Sequence, residues 1–471
     1  MPKQMTAFIS AATFMLALTT GLAQKPDQSA ALREMDGLHL TEYLKENFAH
    51  DWILPAGKTH IVLAVPGSAE FDKTYVEPDG SVSPGVGSYG LTTWLYDISN
   101  HRLYAPDEME EDRLNFHLED GHIPIAHSSW NAGTLHLEKR ITVVLKNPDS
   151  LESEVYMEVK IDAPGEKAAD FLLYVAIRPL GPAGGPVKAI SAIDNGRTVL
   201  LNGTPAIQFD PAPTSFGATS FNSGGDDISR WAKRGSVPLG QSISSDSLGL
   251  ARGAAVYHLH IDPKKSLSIY ARLALRNADR RDSLTGELSS SDALRQFNEV
   301  AGWWKRTLEK VDITANEPFG RDTYYASIAC ILMNSVGNQL RVTNVRHPVT
   351  YLRDGVYMLN AIDQAGLHDR AKQYLEYFVK HPWSGAESQE GPEGDAPGKL
   401  CWIIGEHFRL THDIGWLRSV YPFLLQGADL ILFLENPVDG ETREIGGVKL
   451  VARGTSVHAT GLPDLLCQLN C

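Results

Sequence analysis

Cysteine is scarce in this sequence, with four residues among 471. None of them precedes Cys330, so the first two thirds of the chain must be stabilised by a buried core and not by disulfide bonds. Cys330 and Cys401 fall within helical apolar patterns, which predicts buried thiols. Cys467 and Cys471 are spaced for a small loop, which stays open as an alternative to two free thiols.

Positive charge is also limited. Lysine and arginine number 43 against 57 aspartates and glutamates, and the net charge is -14 at pH 7 with neutral histidines. Such a surface repels nucleic acid and anionic lipid. A neutral polar ligand is neither attracted nor repelled by the net charge of this surface. The composition therefore excludes nucleic acid as an expected partner without identifying another one.

The signatures of several enzyme classes are missing. The sequence contains no HExxH and no GxSxG, so neither a zinc hydrolase nor a serine hydrolase has support. Gly85–Gly90 matches GxGxxG, but Pro84 precedes it and the strand-like Leu91–Tyr96 follows it, whereas a dinucleotide-binding loop leads from a strand into a helix. We interpret this segment as a turn between strands. Asn202-Gly203 is part of a glycosylation sequon, but we interpret it first of all as a turn as well. We expect no metal and no cofactor.

Long apolar runs are confined to the N-terminus. Lys3 is followed by an apolar stretch over Ala7–Ala17 and by small residues up to Ala23. This order is typical of a secretory signal peptide, and the stretch is too short to span a bilayer. An amphipathic first helix of the fold is the alternative. We expect residues 1–23 to be removed, the mature protein to be secreted or periplasmic, and no membrane insertion after signal cleavage.

The first half of the mature chain shows an apolar period of two. From about Thr59 to Arg276, apolar residues alternate with polar ones, as over Leu135–Leu145, Val155–Ile161, Phe171–Ile177 and Leu267–Leu275. Alternation bounded by Gly, Pro, Asn and Asp indicates antiparallel strands. So many strands over this length predict a large sandwich and not a small barrel.

The period changes after Ser290 to three or four residues, which indicates helices. No strand pattern interrupts them, so we expect the rest of the chain to be all-α, with a kink at Pro422 in the last helix. The predicted domains are a β-sandwich over 24–290, a linker helix over 291–315 and a helical domain over 316–471. The helical stripes are Leu294–Leu308, Tyr325–Val336, Val356–Ile362, Ala371–Phe378, Leu400–Leu410 and Leu417–Ile431.

The segment Thr350–Met358 stands out because Arg353 and Asp354 open a strongly apolar helix. Asp354 as a helix cap with Arg353 as a surface charge is one interpretation. Against it, a helix that is apolar over most of its surface is a buried helix, and a charged pair at its start points into a cavity. A guanidinium beside a carboxylate offers donors and acceptors to paired hydroxyl groups. Both interpretations stay open on these residues alone.

Several segments, in this order, resemble the beginning of the catalytic domain of glucoamylase-like six-hairpin glycosidases. They are Trp304–Asp312, Tyr324–Val336, Tyr351–Gly355 with Met358, Gly398–Trp402, Gly405–Thr411, and Asp413 with Trp416 and Leu417. Prokaryotic members of that family resemble this chain in domain order too. The resemblance implies an antiparallel β-supersandwich followed by the first part of an (α/α)6 toroid, and an oligo- or polysaccharide as partner.

The resemblance also implies site residues. In the family the Arg-Asp pair binds hydroxyls of the terminal sugar, a role that falls here to Arg353 and Asp354. Tyr351 stands where the family often has Trp, which keeps a stacking platform but leaves the sugar identity open. The loop His381–Pro397 is expected on the active face, where Trp383 would line the sugar. A solvated acidic loop is the alternative for that segment.

The catalytic carboxylates are not fixed by the resemblance. An inverting glycosidase needs two carboxyl groups about 6.5–9.5 Å apart. The family keeps its general acid between the fifth and sixth helices, where this chain has Glu441 and Glu444, and Glu390 in the earlier loop is a third candidate. The base lies late in a ring of twelve helices, and only five have counterparts here. We therefore expect an incomplete version of such a protein, so whether the chain is an enzyme stays open.

Three functions are compatible with these residues. The favoured hypothesis is an inverting glycoside hydrolase acting on α-glucans or related oligosaccharides. A glycoside phosphorylase of the same architecture would need a basic phosphate pocket, which the negative net charge does not favour. A non-catalytic carbohydrate-binding protein is the alternative from a different class.

Overall fold

The computed structural model describes residues 52–54, 59–182, 184–221, 226–236, 242–275, 284–315, 317–343, 350–381, 396–435, 442–445 and 448–451. They all belong to one compact unit, residues 51–471. The predicted signal peptide, residues 1–23, and the pair Cys467 and Cys471 lie outside the described residues.

Strands fill the first half of the described chain. In chain order they are β1 (Ile61–Leu63), β2 (Thr74–Val76), β3 (Val82–Ser83), β4 (Gly90–Asp97), β5 (Arg102–Tyr104), β6 (Asn115–Glu119), β7 (Ile123–Ala132), β8 (Leu135–Asn147), β9 (Glu152–Asp162), β10 (Ala169–Arg178), β11 (Ala189–Ile193), β12 (Thr198–Leu201), β13 (Thr204–Asp210), β14 (Ser215–Ser220), β15 (Ile243–Ser245), β16 (Ala251–Ile261) and β17 (Ser266–Ala274).

These strands form two antiparallel sheets. One has the order β1-β2-β3-β4-β10-β16-β14 with β5 paired to β4, and the other the order β15-β11-β12-β13-β17-β9-β8-β7-β6. Alternate residues of both sheets enter one core, as Leu95 and Leu173 do from the first sheet and Ile141 and Val159 from the second. The predicted sandwich is confirmed, because the period of two directs every second side chain between the sheets.

Two glycine-containing segments are turns, as predicted. Gly85 and the residues after it connect β3 to β4 without an intervening helix. Asn202 and Gly203 join β12 to β13 with φ values of 51° and 84°, which Asn and Gly tolerate better than other residues. The Asn202 Oδ1 atom also accepts hydrogen bonds from the backbone N–H groups of Lys188 and Ala189, each at 3.0 Å.

Helices dominate after β17. They are preceded by the short α1 (Ile228–Lys233) within the sandwich and comprise α2 (Ser290–Leu308), α3 (Pro318–Asn334), α4 (Leu352–Gln364), α5 (His368–Lys380), α6 (Ala396–Thr411) and α7 (Ile414–Glu435). Helix α2 packs on the nine-stranded sheet, where Arg140 lies 4.7 Å over the ring of Phe297. Helix α4 packs on α5 and α6, and α6 packs on α7. The fold is thus an antiparallel β-sandwich followed by a helical region in which successive helices pack on one another.

Some expectations for the helical half are wrong. A hairpin, β18 (Thr442–Ile445) paired with β19 (Val448–Val451), follows α7, so this half is not all-α. Each strand has four residues, too few for periodicity to identify, although a Gly-Gly pair between them is a hairpin signal. Cys330 is exposed and Cys401 half-buried, both as free thiols. Cys330 lies opposite the face of α3 that buries Ile328 and Leu332.

Pro422 lies within a single helix, α7, which runs on both sides of it. No helix in the described ranges is both long enough and apolar enough to cross a bilayer.

Candidate functional site

The first turn of α4 carries the charged pair identified from the sequence. Tyr351 is the N-cap of the helix, with φ -94° and ψ 132°, and no side chain caps this end. Arg353 and Asp354 therefore lie inside the helix, and both are exposed. Asp354 does not cap, so that part of the alternative interpretation is wrong, whereas Arg353 lies on the surface as the same interpretation expected. A carboxylate in the first turn still interacts favourably with the helix dipole.

Helix α4 has two different faces. Leu352, Val356 and Leu359 are buried, and they recur at the spacing that places residues on one side of a helix. Tyr357 is 56% exposed, and it shares a side with Asp354 three positions earlier. The expectation of a helix buried over most of its surface is therefore wrong for the described structure. Arg353 and Asp354 lie on the open surface of α4.

Gly355, which follows the charged pair, has a packing role. A Cβ atom on Gly355 would lie 2.3 Å from Cζ of Phe378 on α5, far inside van der Waals contact. Glycine is thus required because α4 lies so close to α5 at this point. The third residue of the Arg-Asp-Gly motif is explained by helix packing and not by ligand binding.

Helices α4 and α6 run parallel. The rings of Tyr357 and Trp402 have centroids 5.7 Å apart, and further along both helices Nδ1 of His407 donates a hydrogen bond to Oδ2 of Asp363 at 2.8 Å. The two contacts occur in the same order along each helix, so the N-terminal ends of α4 and α6 lie at the same end of the helix pair.

Lys399 completes a small group at this end. Its Nζ atom lies 5.3 Å from the ring centroid of Tyr357, and its side chain is buried. We name Tyr357, Lys399 and Trp402 the aromatic cluster. Aromatic faces and polar groups of this kind are suited to stacking and hydrogen bonding with a ligand. The sequence alone assigned these three residues no role, although the spacing of Asp354 and Tyr357 on one helix face is a signal for Tyr357.

The structure describes the surroundings of the other predicted site residues in less detail. Tyr351 is half-buried at the N-cap of α4. Trp383, Glu390 and Glu441 lie outside the described residues. Glu444 lies in β18, opposite Lys449 of β19 in the strand register. Arg353 and Asp354 are the predicted residues that the structure sets beside the aromatic cluster, since they precede Tyr357 by about one turn of α4.

A buried carboxylate also links helices α4 and α6. Asp363 is fully buried, and its two oxygens accept hydrogen bonds from Nδ1 of His368 at 2.6 Å and Nδ1 of His407 at 2.8 Å. The His407 ring packs edge-on against Trp416 at 4.8 Å. Asp413 accepts a hydrogen bond from the backbone N–H of Trp416 at 2.9 Å at the start of α7. His407, Asp413 and Trp416 thus have structural roles.

The part of the chain that the structure describes contains no set of metal ligands. None of its groups of His, Cys, Asp and Glu side chains is arranged to hold a metal ion.

Comparison with known proteins gives fold likenesses at low identity. No family model and no curated protein matches the chain. A solved bacterial glucoamylase complexed with acarbose is 11% identical, with a TM-score of 0.45, over 84% of this chain and 72% of that one. A putative kojibiose phosphorylase from the human microbiome is 10% identical, with a TM-score of 0.38, over 79% of this chain and 52% of that one.

A family GH92 α-mannosidase from Bacteroides thetaiotaomicron is 9% identical, with a TM-score of 0.34, over 80% of this chain and 64% of that one. The chain therefore spans about half of the phosphorylase and less than two thirds of the mannosidase. A glucoamylase, the kind of protein that the sequence motifs resemble, is among the structures to which this chain is similar.

Proposed function

We propose that the protein binds oligo- or polysaccharides at the shared N-terminal end of α4 and α6, as part of an inverting glycoside hydrolase acting on α-glucans or related oligosaccharides. One observation carries the proposal: Arg353 and Asp354 are exposed in the first turn of α4, on the helix that also presents Tyr357. Asp354 is not used as a cap, which leaves its carboxylate available to a ligand.

The chemistry of these groups suits a sugar. A carboxylate accepts hydrogen bonds from two neighbouring hydroxyls, and a guanidinium donates to others in a planar arrangement. Tyr357 and Trp402 lie in contact beside them, and aromatic rings offer an apolar face for the C–H side of a sugar ring. Neutral hydroxyl groups are also compatible with the acidic surface of the chain.

Hydrolysis would need two further carboxyl groups on either side of the glycosidic bond. One protonates the leaving oxygen and the other activates a water molecule. Glu390, Glu441 and Glu444 remain the candidates for the acid. The same binding site would also serve a phosphorylase, in which phosphate replaces water, or a protein that binds glycan without cleaving it.

A substrate panel tests the proposal and separates these activities. The protein is incubated with maltose, isomaltose, maltotriose and soluble α-glucans, with and without inorganic phosphate, while binding is measured by calorimetry. Release of reducing sugar without phosphate supports the hydrolase, and a sugar phosphate formed only with phosphate supports the phosphorylase. Binding without release supports the glycan-binding protein. Absence of binding to every saccharide contradicts the proposed site.

We also propose that the protein is exported and that residues 1–23 are its signal peptide. The support is the order of Lys3, the apolar stretch Ala7–Ala17 and the small residues before Gln24. N-terminal sequencing of protein recovered from the periplasm or the medium should begin at Gln24. Recovery of the chain with residues 1–23 intact in the cytoplasm would contradict export.

A further inference from the structure

Lys73 connects the sandwich to the end of helix α3. Its side chain is fully buried, and its Nζ atom donates hydrogen bonds to the carbonyl oxygens of Met333 at 2.7 Å and Ser335 at 2.8 Å, and to Ser68 Oγ at 3.1 Å. Met333 lies in the last turn of α3, and Ser335 is its C-cap. The ammonium group therefore satisfies carbonyl groups that a helix end leaves without partners, where a positive charge is also favoured.

The chain after α3 is held by the same segment of the sandwich. We name residues Ser335–Arg341 the junction turn. Ser335 Oγ accepts a hydrogen bond from the backbone N–H of Gly67 at 2.9 Å, and Gly337 N–H donates to the carbonyl oxygen of Gly67 at 2.8 Å. At the other end of the turn, Arg341 pairs with Glu70 at 2.8 Å. Residues 67–73 thus contact the junction turn along its length.

Helix α5 links the junction turn to the proposed site. Tyr374 on α5 donates a hydrogen bond from its hydroxyl to Ser335 Oγ at 3.0 Å. Phe378, one turn later on α5, packs against Gly355 in the first turn of α4. The junction turn and the start of α4, which carries Arg353, therefore contact neighbouring positions on α5, Tyr374 and Phe378. The junction turn is also the chain segment that leads from α3 towards Tyr351.

We propose that Lys73 is a positioning residue for the Arg353–Asp354 site, acting through the junction turn. A buried side chain of the sandwich thus holds the end of α3 and the start of the junction turn. The inference rests on the proposed function for the identity of the ligand, whereas the anchoring of the junction turn can be measured without any ligand.

The protonation of Lys73 gives the anchor a pH dependence. Burial lowers the pKa of Lys73 to about 7, with Asp72 and Glu70 raising it and Arg341 lowering it. An ammonium group has three N–H donors for the three oxygens around it, and a neutral amine has two. Burial nevertheless disfavours the bound proton, so opening of the anchor, which exposes Lys73, should become less favourable as the pH rises above about 7, and this dependence should be missing from Lys73→Met.

Hydrogen exchange on the full chain tests the anchoring. In Lys73→Met, the amides of Gly337 and Gly355 should exchange about tenfold faster than in the wild type, because local opening becomes easier. Lys160→Met, which removes a half-buried strand lysine paired with Asp162 at 3.3 Å, is the matched control and should leave both amides unchanged. Unchanged exchange at Gly337 and Gly355 in a folded Lys73→Met protein would overturn the proposal.

A milder variant covers the case in which Lys73→Met does not fold. Glu70→Ala removes the partner of Arg341 at the far end of the junction turn and leaves Lys73 in place. Exchange at Gly337 should rise about threefold, and an unchanged rate would then overturn the anchoring.

Binding of maltotriose tests the consequence for the site. Lys73→Met should weaken affinity about tenfold at pH 8, where opening of the anchor is less favourable in the wild type than at pH 6. Faster exchange with unchanged affinity would overturn the positioning role. A wild type that binds no α-glucan would instead contradict the proposed function, and the exchange rates would still decide the anchoring.

Discussion

His407 on α6 donates a hydrogen bond to Asp363 on α4, with 2.8 Å between Nδ1 and Oδ2, and both side chains are buried. His368 donates to the other oxygen of the same carboxylate. The pair joins two parallel helices whose N-terminal ends form the proposed site. A carboxylate buried so completely is tolerated only when it is paired and hydrogen-bonded.

Asp363→Asn should therefore destabilise the helical part of the protein. The amide has one acceptor oxygen for the two histidine donors and no charge, so we expect the free energy of unfolding to fall by about 1.5–3 kcal/mol. Urea unfolding measures the change. Asp369→Asn, at an exposed position in the first turn of α5, is the control and should change the free energy of unfolding by less than about 1 kcal/mol. Equal effects of the two substitutions would refute the structural role of Asp363.

Gly355→Ala should destabilise the protein even though alanine favours helices. The added methyl group would meet the Phe378 ring, and overpacking of this kind costs about 1–3 kcal/mol. Gly405→Ala is the matched control, since Gly405 is exposed in α6 with open space at its Cβ position, and it should stabilise by up to about 1 kcal/mol. Thermal unfolding should shift in opposite directions for the two variants. A gain in stability for Gly355→Ala would contradict the close packing.

Lys73 should make stability depend on pH above neutrality. Its folded pKa, about 7, lies below the ordinary value of 10.5, so between these values the unfolded chain binds a proton that the folded protein lacks. The free energy of unfolding should then rise with pH, by at most about 1.4 kcal/mol per pH unit from this group. Below about pH 7 the cost of burying the ammonium is present in full.

Urea unfolding of the wild type and Lys73→Met at pH 7.5 and pH 9 checks this sign. The wild type should gain about 1–2 kcal/mol relative to the variant over this interval. Parallel pH dependences would show that Lys73 does not titrate there.

Much of the fold was predictable from local patterns. Strands such as β8 and β9 were predicted from alternation alone, because a period of two assigns each side chain to one face of a sheet. The helices were predicted from apolar residues that recur every three or four positions, because this period places them on one face of a helix. The β18–β19 hairpin was missed because four-residue strands leave too little periodicity to detect.

The proposed site was predictable only in part. Arg353 and Asp354 were identified by the chemistry of a charged pair at a helix start, but the start was misplaced, since Tyr351 is the N-cap. Cap and site residues are of the same polar types, so sequence does not separate them. The contact between Asp363 and His407 joins residues 44 positions apart, and no local pattern specifies such a partner. The same holds for Lys73 and Met333.

Tyr357→Ala should reduce saccharide affinity with little effect on stability. Loss of an exposed stacking surface costs about 1 kcal/mol, or about fivefold in affinity. Tyr421→Ala provides the comparison, since Tyr421 on α7 is 53% exposed against 56% for Tyr357 and lies outside the aromatic cluster. Calorimetric titration with maltotriose should therefore distinguish the two variants. Equal affinities would remove Tyr357 from the site.

The binding of maltotriose to wild-type protein and to Asp354→Asn, measured by calorimetry, tests whether a sugar site lies at the start of α4. The substitution preserves shape and, because Asp354 does not cap α4, should change stability by less than about 1 kcal/mol. We expect Asp354→Asn to lose about 1.5–3 kcal/mol of binding free energy, at least tenfold in affinity, because charge-assisted hydrogen bonds to hydroxyls disappear. Unchanged affinity in Asp354→Asn would contradict a sugar site at the start of α4.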